Sequence, residues 1–209
     1  MSTPEQLING FRRFRELHFA EDAERFHDLV QFGQAPKALV VACCDSRVDP
    51  ALVLDCAPGD LFVIRNVANL VPPAENLGHY HGTSAALEFG VCSLAVPHII
   101  VLGHAQCGGI HALLEGGVAK ENSYIAEWMK IAEAARKQTV QEFVGASDKL
   151  RHRACEQRAI LISLSNLMTF SWIRERVEQG KLALHGWYFD IEGGELLGYN
   201  TATREFETL

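Results

Sequence analysis

Ala38-Leu39-Val40-Val41-Ala42-Cys43, followed at once by Cys44-Asp45-Ser46-Arg47, is the stretch that decides the fold. Six apolar residues with a β-branched centre begin just after Pro36 and stop at polar residues, the pattern of a strand buried on both faces in a parallel sheet. The pattern recurs twice. A second run at 61–64 lies between Pro58-Gly59 and Asn66, and a third at 98–103 follows Pro97 and ends at His104. Helical patterning at 82–95, 110–114, 124–136 and 154–177, with late strands at 181–191 and 195–199, completes the chain. Strands alternating with helices predict an α/β fold with a mainly parallel central sheet and flanking helices.

Ahead of the first strand, residues 1–35 read as helical N-terminal arms. Leu7, Ile8, Phe11, Phe14, Leu17 and Phe19 recur at helical spacing, and Phe26, Leu29 and Val30 follow the acidic turn at Glu21 and Asp22. Such a stripe suits packing on a neighbouring chain or on its own domain. Linkers, repeats and low-complexity stretches are absent from the sequence, which predicts a single domain over residues 1–209.

Composition excludes several classes of function. With 209 residues, 48% hydrophobic and 22% charged, the chain is neither disordered nor fibrous and can bury a core without staples. Lys and Arg number 19 against 26 Asp and Glu, a net charge of -7 with no basic run, so nucleic acid is not an expected partner. The sequence holds no apolar stretch of the roughly 18 residues a membrane span needs, and its first residues lack a signal-peptide layout. The expected location is cytoplasmic. In that reducing compartment the six cysteines need not pair, and Cys56, Cys92 and Cys155 read as small buried hydrophobes.

Cys43 and Cys107 read differently because of where they fall. Ligands of open α/β sheets gather beyond the carboxyl ends of the strands. There stand Cys43-Cys44-Asp45-Ser46-Arg47 after the first run and His104-Ala105-Gln106-Cys107-Gly108-Gly109 after the third. If those strand ends are neighbours, two Cys and one His can face one point. Successive strand residues point to opposite faces, so only one of Cys43 and Cys44 can be a ligand, and spacing alone does not choose. Two thiolates and an imidazole suit zinc, and three protein ligands leave the fourth tetrahedral position open for water, as catalytic sites require. Arg47 can grip the Asp45 carboxylate bidentately, keeping it ionised and off the metal, free to accept a hydrogen bond from a zinc-bound hydroxide. Phe62, Val67 and Phe89, with Gln34 as a polar finger, form a candidate pocket for a small neutral molecule.

Together these residues resemble the β-class carbonic anhydrases. The resemblance rests on C-x-D-x-R (Cys43, Asp45, Arg47), on H-x-x-C (His104, Cys107) and on the Arg65-Asn66-Val67-Ala68-Asn69 run, and spans the chain from about Gln34 to His185-Gly186-Trp187. It implies one zinc per subunit held by Cys43, His104 and Cys107, which selects Cys43 over Cys44. It also implies Asp45 and Arg47 as a catalytic dyad and the reversible hydration of carbon dioxide to bicarbonate and a proton. The family's active sites lie at the interface of a dimer-based oligomer, so a homodimer or larger self-assembly is expected. Gln34 looks like the plant-type substrate glutamine, and Phe62 and Val67 look like pocket residues supplied across that interface. Phe89 stands where a tyrosine is usual.

The regulatory bicarbonate pocket of some bacterial members uses a Trp, an Arg and a Tyr. Here only Arg65 matches: position 40 is Val and position 189 is Phe, with Tyr188 one residue out of register. The expectation is an open, plant-type-like site. His79 and His81 are candidate proton shuttles. Two other functions fit the same residues: hydrolysis of carbon disulfide on the same zinc site, or a non-catalytic zinc or thiol redox role for Cys43 and Cys44.

Overall fold

Leu39, Val40, Val41 and Ala42 are wholly buried, and the strand they form, β1 (Ala38–Cys43), lies between two parallel neighbours. This computed structural model describes residues 3–75, 80–116 and 123–209. The other strands are β2 (Leu61–Asn66), β3 (His98–His104), β4 (Ala183–Asp190), β5 (Glu195–Asn200) and β6 (Glu205–Thr208). They form one six-stranded sheet in the order β2-β1-β3-β4-β5-β6. The first four strands run parallel and the last two add antiparallel. The register sets Leu39 against Phe62 on one side and Ile99 on the other, so β1 and β3 end side by side at Cys43 and His104.

The helices are α1 (Pro4–Phe14), α2 (Ala23–Phe32), α3 (Pro50–Val53), α4 (Gly82–Glu88), α5 (Gly108–Leu114), α6 (Tyr124–Met129), α7 (Glu133–Glu142), α8 (Asp148–Leu167) and α9 (Ser171–Glu178). Leu39, Val41, Ile99 and Val101 on one sheet face pack with Leu87, Ile160, Leu167 and Ile173 from α4, α8 and α9. Gly103 permits the close approach of α8, since a Cβ there would stand 2.6 Å from Ile160 Cδ1. On the opposite face Val40, Ala42, Ile100 and Leu102 pack beside Leu61, Trp187, Phe189 and Leu196.

Several boundaries differ from the sequence expectation. Residues 154–177 form not one helix but α8 and α9, parted at residues 168–170, and α8 starts earlier, at Asp148. Ser147 caps it by accepting from Leu150 N at 3.4 Å, a start signal its Ser-Asp sequence carries. The 82–95 segment is α4 followed by a wider turn, Phe89–Ser93. Helix α3 and strand β6 were not predicted. Asp49 and Pro50 explain α3: the Asp49 carboxylate accepts from Ala51 N at 3.1 Å and Leu52 N at 3.3 Å, and Pro50 takes the first helical position.

The arm is helical, as expected: α1, a wide turn at Arg15–Phe19, then α2. It buries none of its residues. Leu7, Phe11, Val30 and Phe32 are more than half exposed. The arm touches the sheet only lightly, where Arg25 Nη1 donates to Pro58 O at 2.9 Å and Leu29 fills the space a Cβ on Gly59 would need. Among the described residues no helix is long and apolar enough to cross a membrane.

Candidate active site

The ends of β1 and β3 bring Cys43, His104 and Cys107 together, all buried, with their ligand atoms within 4.8 Å of one another. The two sulfurs are 4.0 Å apart. Local backbone makes this possible. Beyond His104 the chain turns through Gln106 in the left-handed region (φ 57°), which swings Cys107 back under the strand end as the cap of α5. Gly109 then packs directly on the β2–α4 connection, since a Cβ there would lie 3.0 Å from Val67 Cγ1 and 3.2 Å from Ala68 Cβ. Cys44 faces outward and is exposed, while its N–H donates to Asn66 O at 2.8 Å.

His104 is oriented for ligation. Its Nδ1 lies 2.9 Å from Ala105 O, and because a carbonyl can only accept, Nδ1 carries the proton and Nε2 is bare. Nε2 is buried and has no hydrogen-bond partner among the described residues. A bare buried imidazole nitrogen facing two thiols is the donor set a tetrahedral zinc ion takes, so these residues fit the metal. The contact between the two sulfurs lowers Cys43, while the same contact and burial push Cys107 up. Burial alone would lower His104, but the Cys43 thiolate beside it raises it.

Asp45 is turned away into a clamp. Arg47 donates to it from Nε at 2.9 Å, from Nη2 at 2.7 Å and from the backbone N–H at 3.0 Å. These bonds, the Arg47 side chain's first, hold the Asp45 carboxyl well below the ordinary carboxylate range. Arg47 Nη2 also reaches Gln106 O at 3.0 Å and thereby ties the two loops together.

Two braces that the sequence did not reveal complete the site. Arg65 donates to Cys43 O at 2.9 Å, to Asp45 O at 2.7 Å and to Asp49 Oδ2 at 2.9 Å, so one guanidinium fixes the whole turn after β1. On the other side Glu156 of α8 accepts from Cys107 N at 3.0 Å and from the Tyr188 hydroxyl at 2.8 Å. Burial pushes the Glu156 carboxyl up and, together with the Glu156 charge, raises Tyr188 as well. The signal was a charge on an apolar stripe: Cys155, Glu156, Ala159, Ile160, Ser163 and Leu167 share the buried side of α8.

The candidate pocket residues separate into two groups. Val67 belongs to this chain's own metal end: it packs on Gly109, its carbonyl accepts from Trp128 Nε1 at 2.8 Å, and it lines a cavity of about 600 Å³ with Tyr80, Tyr124 and Trp128. Phe62 pairs with Leu39 and stacks on Phe89, ring centroids 5.8 Å apart, near the opposite end of the strands. Four residues of strand, roughly 13 Å, separate that level from Cys43. Gln34 is exposed before β1, also at the far end. His81 stands at the N-cap position of α4 and lies 3.9 Å from Glu75, whereas His79 is outside the described residues.

A mainly parallel α/β sheet thus sets a buried Cys–His–Cys group that could hold a metal ion beside an arginine-clamped aspartate. The carbonic anhydrase family matches residues 38–196. The chain belongs to the β-class carbonic anhydrases. It is 43% identical to β-carbonic anhydrase 5, chloroplastic, of Arabidopsis thaliana over 190 residues, 90% of this chain and 62% of that protein. To the carbonic anhydrase of Synechocystis it is 37% identical over 205 residues, 97% of this chain and 73% of that one. Its fold matches the structure of the β-carbonic anhydrase CcaA with a TM-score of 0.91 at 35% identity, covering 98% and 91% of the two chains. A tetrameric β-carbonic anhydrase of Sordaria macrospora matches with a TM-score of 0.83 at 28% identity, covering 93% and 95%. The chain spans 62% and 64% of the lengths of its two Arabidopsis relatives.

Proposed function

We propose that this chain is a zinc-dependent carbonic anhydrase that reversibly hydrates carbon dioxide to bicarbonate and a proton. The observation that carries the reading is the buried Cys43, His104 and Cys107 group with its bare imidazole nitrogen, set beside an aspartate that Arg47 holds. Cys43, His104 and Cys107 would hold the zinc; once bound, it supplies acidification of a water, which makes a nucleophile available at neutral pH. Asp45, ionised by the Arg47 clamp, accepts the hydrogen bond of the reacting water and orients its lone pair toward the substrate carbon. Arg47 keeps Asp45 from becoming a fourth ligand, which gives the open, plant-type-like site. Arg65 and Glu156 hold the two loops so that neither moves when charge develops. Val67 gives the substrate an apolar wall.

The same geometry supports self-association. Gln34, Phe62 and Phe89 stand near the amino ends of the strands, away from this chain's Cys43, His104 and Cys107, and the arm leaves Leu7, Phe11 and Phe32 in solvent. A second copy would cover the arm and bring those pocket residues to the site, making a homodimer or a larger dimer-based assembly; one similar protein is described as tetrameric. We read residues 1–209 as one domain and set it in the cytosol, where the thiol ligands stay reduced.

Stopped-flow hydration of carbon dioxide with a pH indicator tests the reading. The zinc-loaded chain should turn over rapidly, and Asp45→Asn should lose on the order of 100-fold or more in kcat while keeping its zinc. Full activity of a zinc-free preparation would overturn the proposal. Turnover of carbon disulfide in place of carbon dioxide would keep the site and replace the substrate.

A further inference from the structure

His98 opens β3 and His185 lies in β4, and the parallel register pairs His98 with Ala183 and Ile100 with His185. Residues two apart on a strand share a face, so the two imidazoles sit diagonally across neighbouring strands on one side of the sheet. His98 Nδ1 and His185 Nε2 share a hydrogen bond at 3.2 Å, whose proton a metal ion would displace, with ring centroids at 5.2 Å and planes inclined by 55°. The flanking Ile99, Ile100 and Gly186 are buried, so the backbones that carry the rings are fixed. Six residues separate His98 from His104, roughly 20 Å of strand, which sets this pair apart from the zinc ligands.

We propose that His98 and His185 form a second metal site, for a divalent transition ion of borderline softness such as Cu²⁺, Ni²⁺ or Zn²⁺. The spacing is the argument. Two imidazole nitrogens bound at about 2.0–2.1 Å stand about 2.9 Å apart at a right angle and about 3.3 Å apart at the tetrahedral angle, and the observed separation falls between them. Burial and the neighbouring His98 lower the pKa of His185, which keeps that ring neutral and able to ligate. Glu207, held by Asn200 Nδ2 at 2.9 Å and Thr203 Oγ1 at 2.6 Å, lines the same hollow of about 250 Å³ as His185. Two protein ligands leave the remaining positions to water or to a second copy's pair, so binding is weaker than at a three-ligand centre and strongest for copper.

The test uses the zinc-loaded protein and free CuSO₄ or NiCl₂. Calorimetric titration should show one further saturable ion per chain, or one per two chains if copies share it, with Cu²⁺ binding more tightly than Ni²⁺. The electron paramagnetic resonance spectrum of the copper form should show coupling to two nitrogens. His98→Ala and His185→Asn should each weaken this step at least tenfold while original zinc content, circular dichroism and carbon dioxide hydration stay unchanged. His111→Ala, in another histidine pair whose ring centroids are 4.5 Å apart, should leave the step intact. Absence of a further saturable ion, equal binding in both His98 and His185 variants, or loss of binding in His111→Ala would overturn the assignment. Because the readout counts ions beyond the zinc already bound, it fails independently of the proposed activity.

Discussion

The two ends of the same strands are built differently. At the carboxyl ends of β1 and β3 the ligand residues are buried, and Arg47, Arg65 and Glu156 cross-tie the loops that carry them. At the amino ends Gln34 and Phe89 are exposed, Phe62 is only half-buried, and the arm turns an apolar stripe to solvent. On the proposed function, one chain carries the residues that would hold metal together with Val67, and leaves the rest of the pocket to a second copy. Metal binding and substrate selection would then be separable properties of this fold.

The comparison can be broken most forcefully at its closed end. Cys107→Ser should abolish stoichiometric zinc and reduce carbon dioxide hydration by at least about 1000-fold, read by metal analysis and stopped-flow; a zinc-replete active variant would mean the metal half lies elsewhere. Next comes the open end. Phe11→Glu combined with Leu7→Glu should shift sedimentation toward monomers and cut turnover by about 10–100-fold with zinc content unchanged, and a fully active monomer would show that the pocket needs no partner. Glu156→Ala probes the brace on Cys107 and should weaken zinc affinity by about tenfold or more in a chelator competition, since partners of ligands typically carry that much.

The smallest effect concerns the tie between arm and sheet. Asp60 meets Lys37 at 2.9 Å and Arg25 of α2 at 3.7 Å, and the Lys37 contact lowers the Asp60 carboxyl below its ordinary value. A folded-state value below the unfolded one means that its stabilisation is present above about pH 4 and fades as pH falls through the folded value. Wild type and Asp60→Asn should thus differ by about 0.5–1 kcal/mol in urea unfolding at neutral pH, the small size reflecting an exposed lysine partner, and converge in acid. A gap that widened toward low pH would reverse this assignment.

What the sequence made legible follows the physics of each end. Buried parallel strands read as continuous apolar runs, so β1 and β3 were visible, and with them the neighbouring strand ends where Cys43 and His104 meet; β2, at the sheet edge, was marked by its apolar run between Gly59 and Asn66. Strand parity limited the ligand to Cys43 or Cys44, and in the fold Cys43 is buried while Cys44 is exposed. The braces were illegible because they act across long separations on backbone groups: Arg65 on the carbonyls of Cys43 and Asp45, and Glu156 on the Cys107 amide. Side-chain spacing records nothing about which main-chain group a distant residue will reach. Strand β6 was hidden for another reason, since Glu205–Thr208 is an edge segment with little apolar content, and only pairing with β5 makes it a strand.

The division of Val67 from Phe62 and Phe89 along the strands has a genetic consequence. A chain carrying Cys107→Ser keeps its far-end pocket residues, and a chain altered at Phe62 keeps its ligands. On the proposed assembly, the first is inactive alone and the second impaired. Expressed together, mixed pairs would contain one site built wholly from sound parts, so two defective alleles of this protein would complement each other.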